Sequence, residues 1–323
     1  MGKPIPLLVK LFPNIRDVFH PITSAQLKVI DANCERIQFS EHLSEKDFKT
    51  LSDFMKEKRI NHLRVYGLNS VKNLDFLRHF DSIRELSVDV WDIEWLDGID
   101  TQYANLRSLD LGSTKSKRFS LAFLPSFEDL KQISIDGFEK DVEAIGEVIT
   151  LEELTLRSVT LDDLDFVGQL TSLWWFALKL GGTRNIMALS DTRPKYLEIW
   201  RARGLKNIDV ISEMETLQFL FLQTLYRIWA LPDLSNLSDL RKITIEDLRN
   251  LNNIRALFTA SSIKELDVKG FNRVKVEDFI SLKSHPSLER ASIFTGSEKK
   301  NELVKQQLGL PDSLWGKTNF PFS

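Results

Sequence analysis

The sequence predicts an α/β solenoid of about twelve repeats, each with one short strand, the strands pairing in parallel and joined by short segments on the opposite side. Two observations carry this. Nine-residue windows recur with apolar residues at fixed places, and the last apolar place falls at Val65, Val88, Leu111, Ile135, Leu156, Leu178, Ile199, Leu222, Ile245, Val268 and Ile293, in steps of 21 to 25 residues. A weaker window at 33–41 puts Phe39 in the same place. Within each window apolar residues alternate with others, as at Leu109 and Leu111 or Leu220 and Leu222, which is the period of a strand. The roughly 17 residues left between strands suffice for a parallel crossover, and each repeat buries its apolar residues only against its neighbours.

Composition sets the outer bounds. With 323 residues, 42% of them apolar and 28% charged, the chain has ample material for a core. A net charge of −3 argues against a broad phosphate-binding face, so no nucleic acid is expected as partner. The one cysteine, Cys34, excludes an internal disulfide and a cysteine-rich zinc site and points to a reducing compartment. No run approaches the roughly 18 apolar residues of a membrane helix, and the apolar opening at Ile5–Val9 is too short for a secretory signal. A cytoplasmic protein not bound to membrane is expected; a monomer is favoured, the sequence leaving the oligomeric state open.

The windows read L-x-x-L-x-L, for example NLRSLDLGS at 105–113, TLEELTLRS at 150–158 and TLQFLFLQT at 216–224. The chain thereby resembles the leucine-rich-repeat family over residues 34–295. The resemblance implies a horseshoe solenoid of about 11–12 repeats with a parallel β-sheet on its concave face, acting as a scaffold for protein–protein interaction. One feature departs from the family. Three residues after the last core place, where many such repeats carry asparagine, stand Leu68, Trp91, Thr114, Phe138, Val159, Gly181, Ala202, Leu225, Leu248, Phe271 and Gly296. Apolar packing is expected to hold those turns instead.

The ends are expected to differ from the repeats, because an open core needs covering. Residues 1–33 are assigned to an N-terminal cap, 34–295 to the solenoid, and 296–323 to a C-terminal cap and tail. Ser44 is placed to cap a helix running to Lys58, with Phe48, Leu51, Phe54 and Met55 on one face. Ser297–Leu308 reads as a helix stopped by Gly309, followed by a tail containing Pro311, Trp315 and Phe320.

No residues gather in a catalytic pattern, so no enzyme, cofactor or metal is expected. Cys34 sits at a leading apolar place of its window, where a buried thiol is the simpler reading than a nucleophile. His20, His42, His62, His79 and His285 show no metal-ligand spacing, and Asp162, Asp163 and Asp165 read as a solvated convex face.

The strand residues that alternate with the buried ones carry the functional expectation. In successive repeats they place Trp175, Tyr196 and Phe219 in one column, with Phe221 and Trp200 beside them and Arg157, Lys179 and Arg201 at the edge. Exposed contiguous aromatics flanked by arginine have the composition of a binding hot spot, so these eight residues are the expected binding site for another protein on the concave face. The competing reading is that the chain's own tail covers them. An exported bacterial effector or surface protein using the same surface on a host partner is the alternative function.

Overall fold

The computed structural model describes residues 14–96, 99, 105–270 and 273–323. Among these residues, thirteen parallel strands follow one another in chain order in one sheet. The repeats predict one fewer, because Ile15–Asp17 lies inside the stretch assigned to a cap yet pairs with the first repeat strand. Residues 1–13 of that assignment lie outside the described residues.

Two compact units divide the chain after Glu152. The first carries β1 (Ile15–Asp17), β2 (Arg36–Phe39), β3 (His62–Gly67), β4 (Glu85–Val90), β5 (Ser108–Leu111) and β6 (Gln132–Asp136), with helices α1 (Ser24–Lys28) and α2 (Glu45–Lys58). Ser44 caps α2 in a capping box with Asp47, and Phe48, Leu51, Phe54 and Met55 are buried along one face, as the spacing predicts. The second unit carries β7 (Glu153–Arg157), β8 (Trp175–Lys179), β9 (Tyr196–Trp200), β10 (Phe219–Gln223), β11 (Lys242–Glu246), β12 (Glu265–Lys269) and β13 (Arg290–Phe294). Its helices are α3 (Arg255–Thr259), α4 (Val276–Ile280) and α5 (Glu298–Leu308). The segments opposite the strands include single 3-10 turns such as Asp165–Gln169 and Asp209–Glu213. No helix of the described residues is long and apolar enough to cross a membrane.

The register in the second unit follows the apolar windows. Leu156, Leu178, Ile199, Leu222, Ile245, Val268 and Ile293 lie opposite one another on successive strands. All seven are buried, as are apolar residues of the 3-10 turns, including Val167 and Ile211.

The turns that lack asparagine are held in two ways. Phe138, Val159, Ala202, Leu225 and Leu248 are buried at the expected place, whereas Leu68 and Trp91 are exposed, so the expectation of apolar packing fails at those two turns. In addition, the residue after each strand from β7 to β12, namely Ser158, Leu180, Arg201, Thr224, Asp247 and Gly270, has a left-handed backbone with φ between 52° and 74°. That conformation turns each N–H onto the last carbonyl of the next strand, at 2.8, 2.6, 2.9, 2.8, 2.8 and 2.9 Å in order. The turns approach so closely that a Cβ on Gly204 would lie 2.0 Å from the Gly182 carbonyl oxygen.

A left-handed backbone costs a non-glycine residue about 1–2 kcal/mol, while glycine adopts it freely at some entropic cost in the unfolded chain. Arg201 is exposed, so little packing is lost on truncation. Arg201→Gly is therefore expected to stabilise by about 0.5–1 kcal/mol, read as a higher thermal midpoint; a lower midpoint counts against the ladder as a strained element.

Candidate functional site

The strand register sets Trp175, Tyr196 and Phe219 side by side on β8, β9 and β10. Trp175 and Tyr196 stack with centroids 3.5 Å apart, and Phe219 meets Tyr196 edge-on at 5.2 Å. The predicted column exists, but it is not an open surface. Trp175 and Tyr196 are 0% exposed, Phe219 1% and Phe221 9%. The expectation of an exposed patch is corrected: the chain's own tail lies across it.

After Gly309 ends α5 with a left-handed backbone, the tail runs back over the sheet face from β13 to β8. Phe322 packs 5.9 Å from Trp175, 5.3 Å from Trp174 and 6.2 Å from Tyr196. Phe320 lies 5.3 Å from Phe219 and 4.6 Å from Phe322, with Trp315 against it at 5.2 Å. These rings form one buried cluster, and burying aromatic area favours the docking of the tail on the sheet.

The polar contacts are of a distinct kind, because side chains of the sheet take main-chain groups of the tail. Glu265 Oε2 accepts from the Leu314 and Trp315 N–H groups at 2.9 and 2.8 Å and from the Ser313 hydroxyl at 2.7 Å. Arg290 donates to the Asp312 carbonyl at 3.0 Å and Arg241 to the Pro321 carbonyl at 2.7 Å. Gln218 uses both ends of its amide, accepting from the Ser323 N–H at 3.0 Å and donating to its hydroxyl at 2.9 Å. Buried charges complete the hold. Glu198 receives Lys317 at 2.6 Å, Lys179 at 3.2 Å and the Tyr196 hydroxyl at 3.0 Å. The buried Lys242 ammonium reaches Asp267 at 2.6 Å, Glu265 at 3.6 Å and the Ser313 hydroxyl.

The remaining predicted residues divide. Trp200 is half-buried with the Arg157 guanidinium 5.6 Å over its ring, Lys179 is committed to Glu198, and Arg201 is exposed. The sequence reading missed Gln218, Glu198, Lys242 and Glu265. Lys242 and Glu265 continue the aromatic column on the next two strands, so charged residues at places that face the same covering segment were the available signal. Phe322, two residues beyond Phe320, was the corresponding signal in the tail.

Burial raises the Tyr196 phenol well above its usual value, and the Glu198 carboxylate adds to the rise. Burial lowers the Lys317 ammonium, and Glu198 only partly restores it. Burial alone would raise Glu265, but the donors from Trp315, Ser313 and Leu314 together with Lys242 outweigh it and hold its carboxyl low.

The first unit carries polar side chains on its strands. His62 lies 3.1 Å from Glu85 and 3.2 Å from the Ser87 hydroxyl, Arg64 pairs with Asp89 at 2.6 Å, and the Tyr66 hydroxyl donates to Asp17 at 2.7 Å. Burial lowers His62 below its ordinary 6.5 more than Glu85 raises it, and burial also lowers His285. The unfolded chain then binds protons more readily than the folded one. The stability these histidines contribute is present above about pH 6.5 and is lost as pH falls below it. The denaturant midpoint is expected to drop between pH 7.5 and 5.5, with a shallower drop in His62→Gln; an unchanged slope in that variant would sink the assignment.

Solved structures share this architecture. The internalin InlF of Listeria monocytogenes superposes with a TM-score of 0.58 at 16% identity, over 88% of this chain and 82% of that one. The functional domain of InlJ from Listeria monocytogenes gives 0.50 at 14% identity over 80% and 68%. TLR13, in its complex with ssRNA13, gives 0.50 at 13% identity over 87% of this chain and half of that one. No protein-family model and no curated protein matches the sequence. The fold is that of leucine-rich-repeat proteins, and at these identities the likeness is one of fold alone.

Proposed function

We propose that this chain is a non-catalytic, cytoplasmic protein-interaction module that takes an extended polypeptide segment across the face of β8–β13, and that its own tail occupies this face until a partner segment displaces it. One observation carries the reading: beside the aromatic floor, Glu265, Arg290, Arg241 and Gln218 bond main-chain groups of the tail between Asp312 and Ser323, a mode of recognition that another extended segment can satisfy. Trp175, Tyr196, Phe219 and Phe221 supply the apolar floor, and Glu198 selects a cation three residues before the first tail phenylalanine. The single buried cysteine supports a reducing compartment.

The test loosens the tail within the full chain. A fluorescein-labelled peptide with the sequence of residues 311–323 is titrated against wild type and against Phe320→Ala/Phe322→Ala, followed by anisotropy. The folded variant is expected to bind about tenfold more tightly than wild type, because its face is less occupied. Equal, undetectable binding to both, with the variant's circular dichroism unchanged, would show that the face does not accept a segment in trans.

A further inference from the structure

Four successive turns of the second unit carry an edge apart from the residues that hold the tail, Glu265, Arg290, Arg241, Gln218 and Glu198. The residues beginning three places after β9, β10, β11 and β12 are 203–206, 226–230, 249–253 and, among those described, 273–275. They present Arg203, Lys206, Arg227, Arg249, Arg273 and Lys275, all exposed, and no acidic residue stands on these stretches among the described residues. Such a concentration is unusual in a chain of net charge −3. Of the six, Arg249 alone enters an ion pair among the described residues, with Asp247 at 2.7 Å.

Two aromatic side chains stand among the cations. Tyr226 is 47% exposed and Trp229 52%. Arg249 lies 5.6 Å over the Tyr226 ring and Arg273 5.1 Å over the Trp229 ring. The backbone beneath is fixed: the Asn250 amide donates to the Tyr226 carbonyl at 2.6 Å, and the Asn252 N–H to the Trp229 carbonyl at 3.3 Å. Cations, rings and supporting turns therefore form a laterally ordered surface about 14 Å wide, at ~4.8 Å per strand.

We infer that this edge is a second docking surface, for a carboxylate-rich polypeptide segment that also carries an apolar side chain. Charge complementarity supplies the argument, since the five of these exposed cations that enter no ion pair among the described residues attract carboxylates, and guanidinium forks bind them in pairs. Tyrosine, tryptophan and arginine together are the residues that dominate protein-binding hot spots. A polypeptide is favoured over a nucleic acid because a guanidinium already covers one face of each ring, where a base would stack, and because the net negative chain offers no long-range attraction for a polyphosphate.

The experiment uses the full chain and three fluorescent probes of about twelve units each: a peptide of repeated Glu-Glu-Leu, the same peptide with glutamine for glutamate, and an oligouridine. The glutamate peptide is expected to bind about tenfold more tightly than the glutamine peptide at low salt, and to weaken as salt rises. Arg203→Glu/Arg227→Glu/Arg273→Glu is expected to lower its affinity about tenfold or more, with the thermal midpoint held. The milder Arg227→Gln/Arg273→Gln and Trp229→Ala variants are expected to weaken binding in the same direction. Glutamate-peptide binding that is absent, or that all three folded variants leave unchanged, overturns the inference. Oligouridine binding more tightly than the glutamate peptide and lost in the same variants also overturns it, in favour of a nucleic-acid edge.

Discussion

Trp175→Ala is expected to destabilise the protein by about 3–5 kcal/mol, the cost of removing a large aromatic from a closed core. A surface residue of the same type would cost within about 1 kcal/mol. Trp175 is fully buried, stacked on Tyr196 and closed over by Phe322 and Trp174. The rigid strands on either side restrict collapse into the space left behind, which keeps the cost toward the upper end. Chemical denaturation of wild type and variant gives the difference directly. A value near zero would mean that the tail does not rest on this face in solution, and the proposed occupancy would fall with it.

Lys242→Ala is expected to cost a similar amount, about 3–5 kcal/mol, for a different reason. The Lys242 side chain is 0% exposed, and its ammonium stands between Asp267 and Glu265. Removing it leaves two carboxylates facing each other's field with little water to relieve them, and the hydroxyl of Ser313 loses its donor. Lys242→Met separates charge from bulk, since it keeps most of the stem while deleting the ammonium. It is expected to lose most of the same stability, and hydrogen exchange at the Leu314 and Trp315 amides is expected to speed up as Glu265 loses the nearer of its two cations and keeps only Arg290, at 4.0 Å. A Met variant as stable as wild type would show that packing of the stem, not the ion cluster, sets the contribution.

The fold was legible because the repeat signal is local and redundant: eleven windows each put apolar residues at the same places, so the register of β3 to β13 follows from alternation alone. β1 escaped because Ile15-Arg16-Asp17 carries no such window and all three residues are only half-buried. The left-handed turn ladder escaped because Leu180, Arg201 and Thr224 are residue types that rarely adopt that backbone; they do so where the next strand's carbonyl stands ready to accept. The aromatic column was legible in composition and direction, whereas its burial was not. The contacts that cover it join residues as far apart as Gln218 and Ser323 or Glu198 and Lys317, and a repeat pattern carries no information at such separations.

A stack of repeats ordinarily frays from its ends, because each rung is held by its immediate neighbours and the terminal rung has only one. The returning tail changes that connectivity within the second unit. It bonds to Ala291 and Arg290 on β13, to Glu265 on β12, and then to the rings of β10, β9 and β8. The last rung cannot open without pulling on one five strands away, so the end of the stack behaves as a closed circuit instead of a free edge. Melting of β8 to β13 is then expected as a single cooperative step, and removal of the tail is expected to let the terminal repeats unzip one at a time.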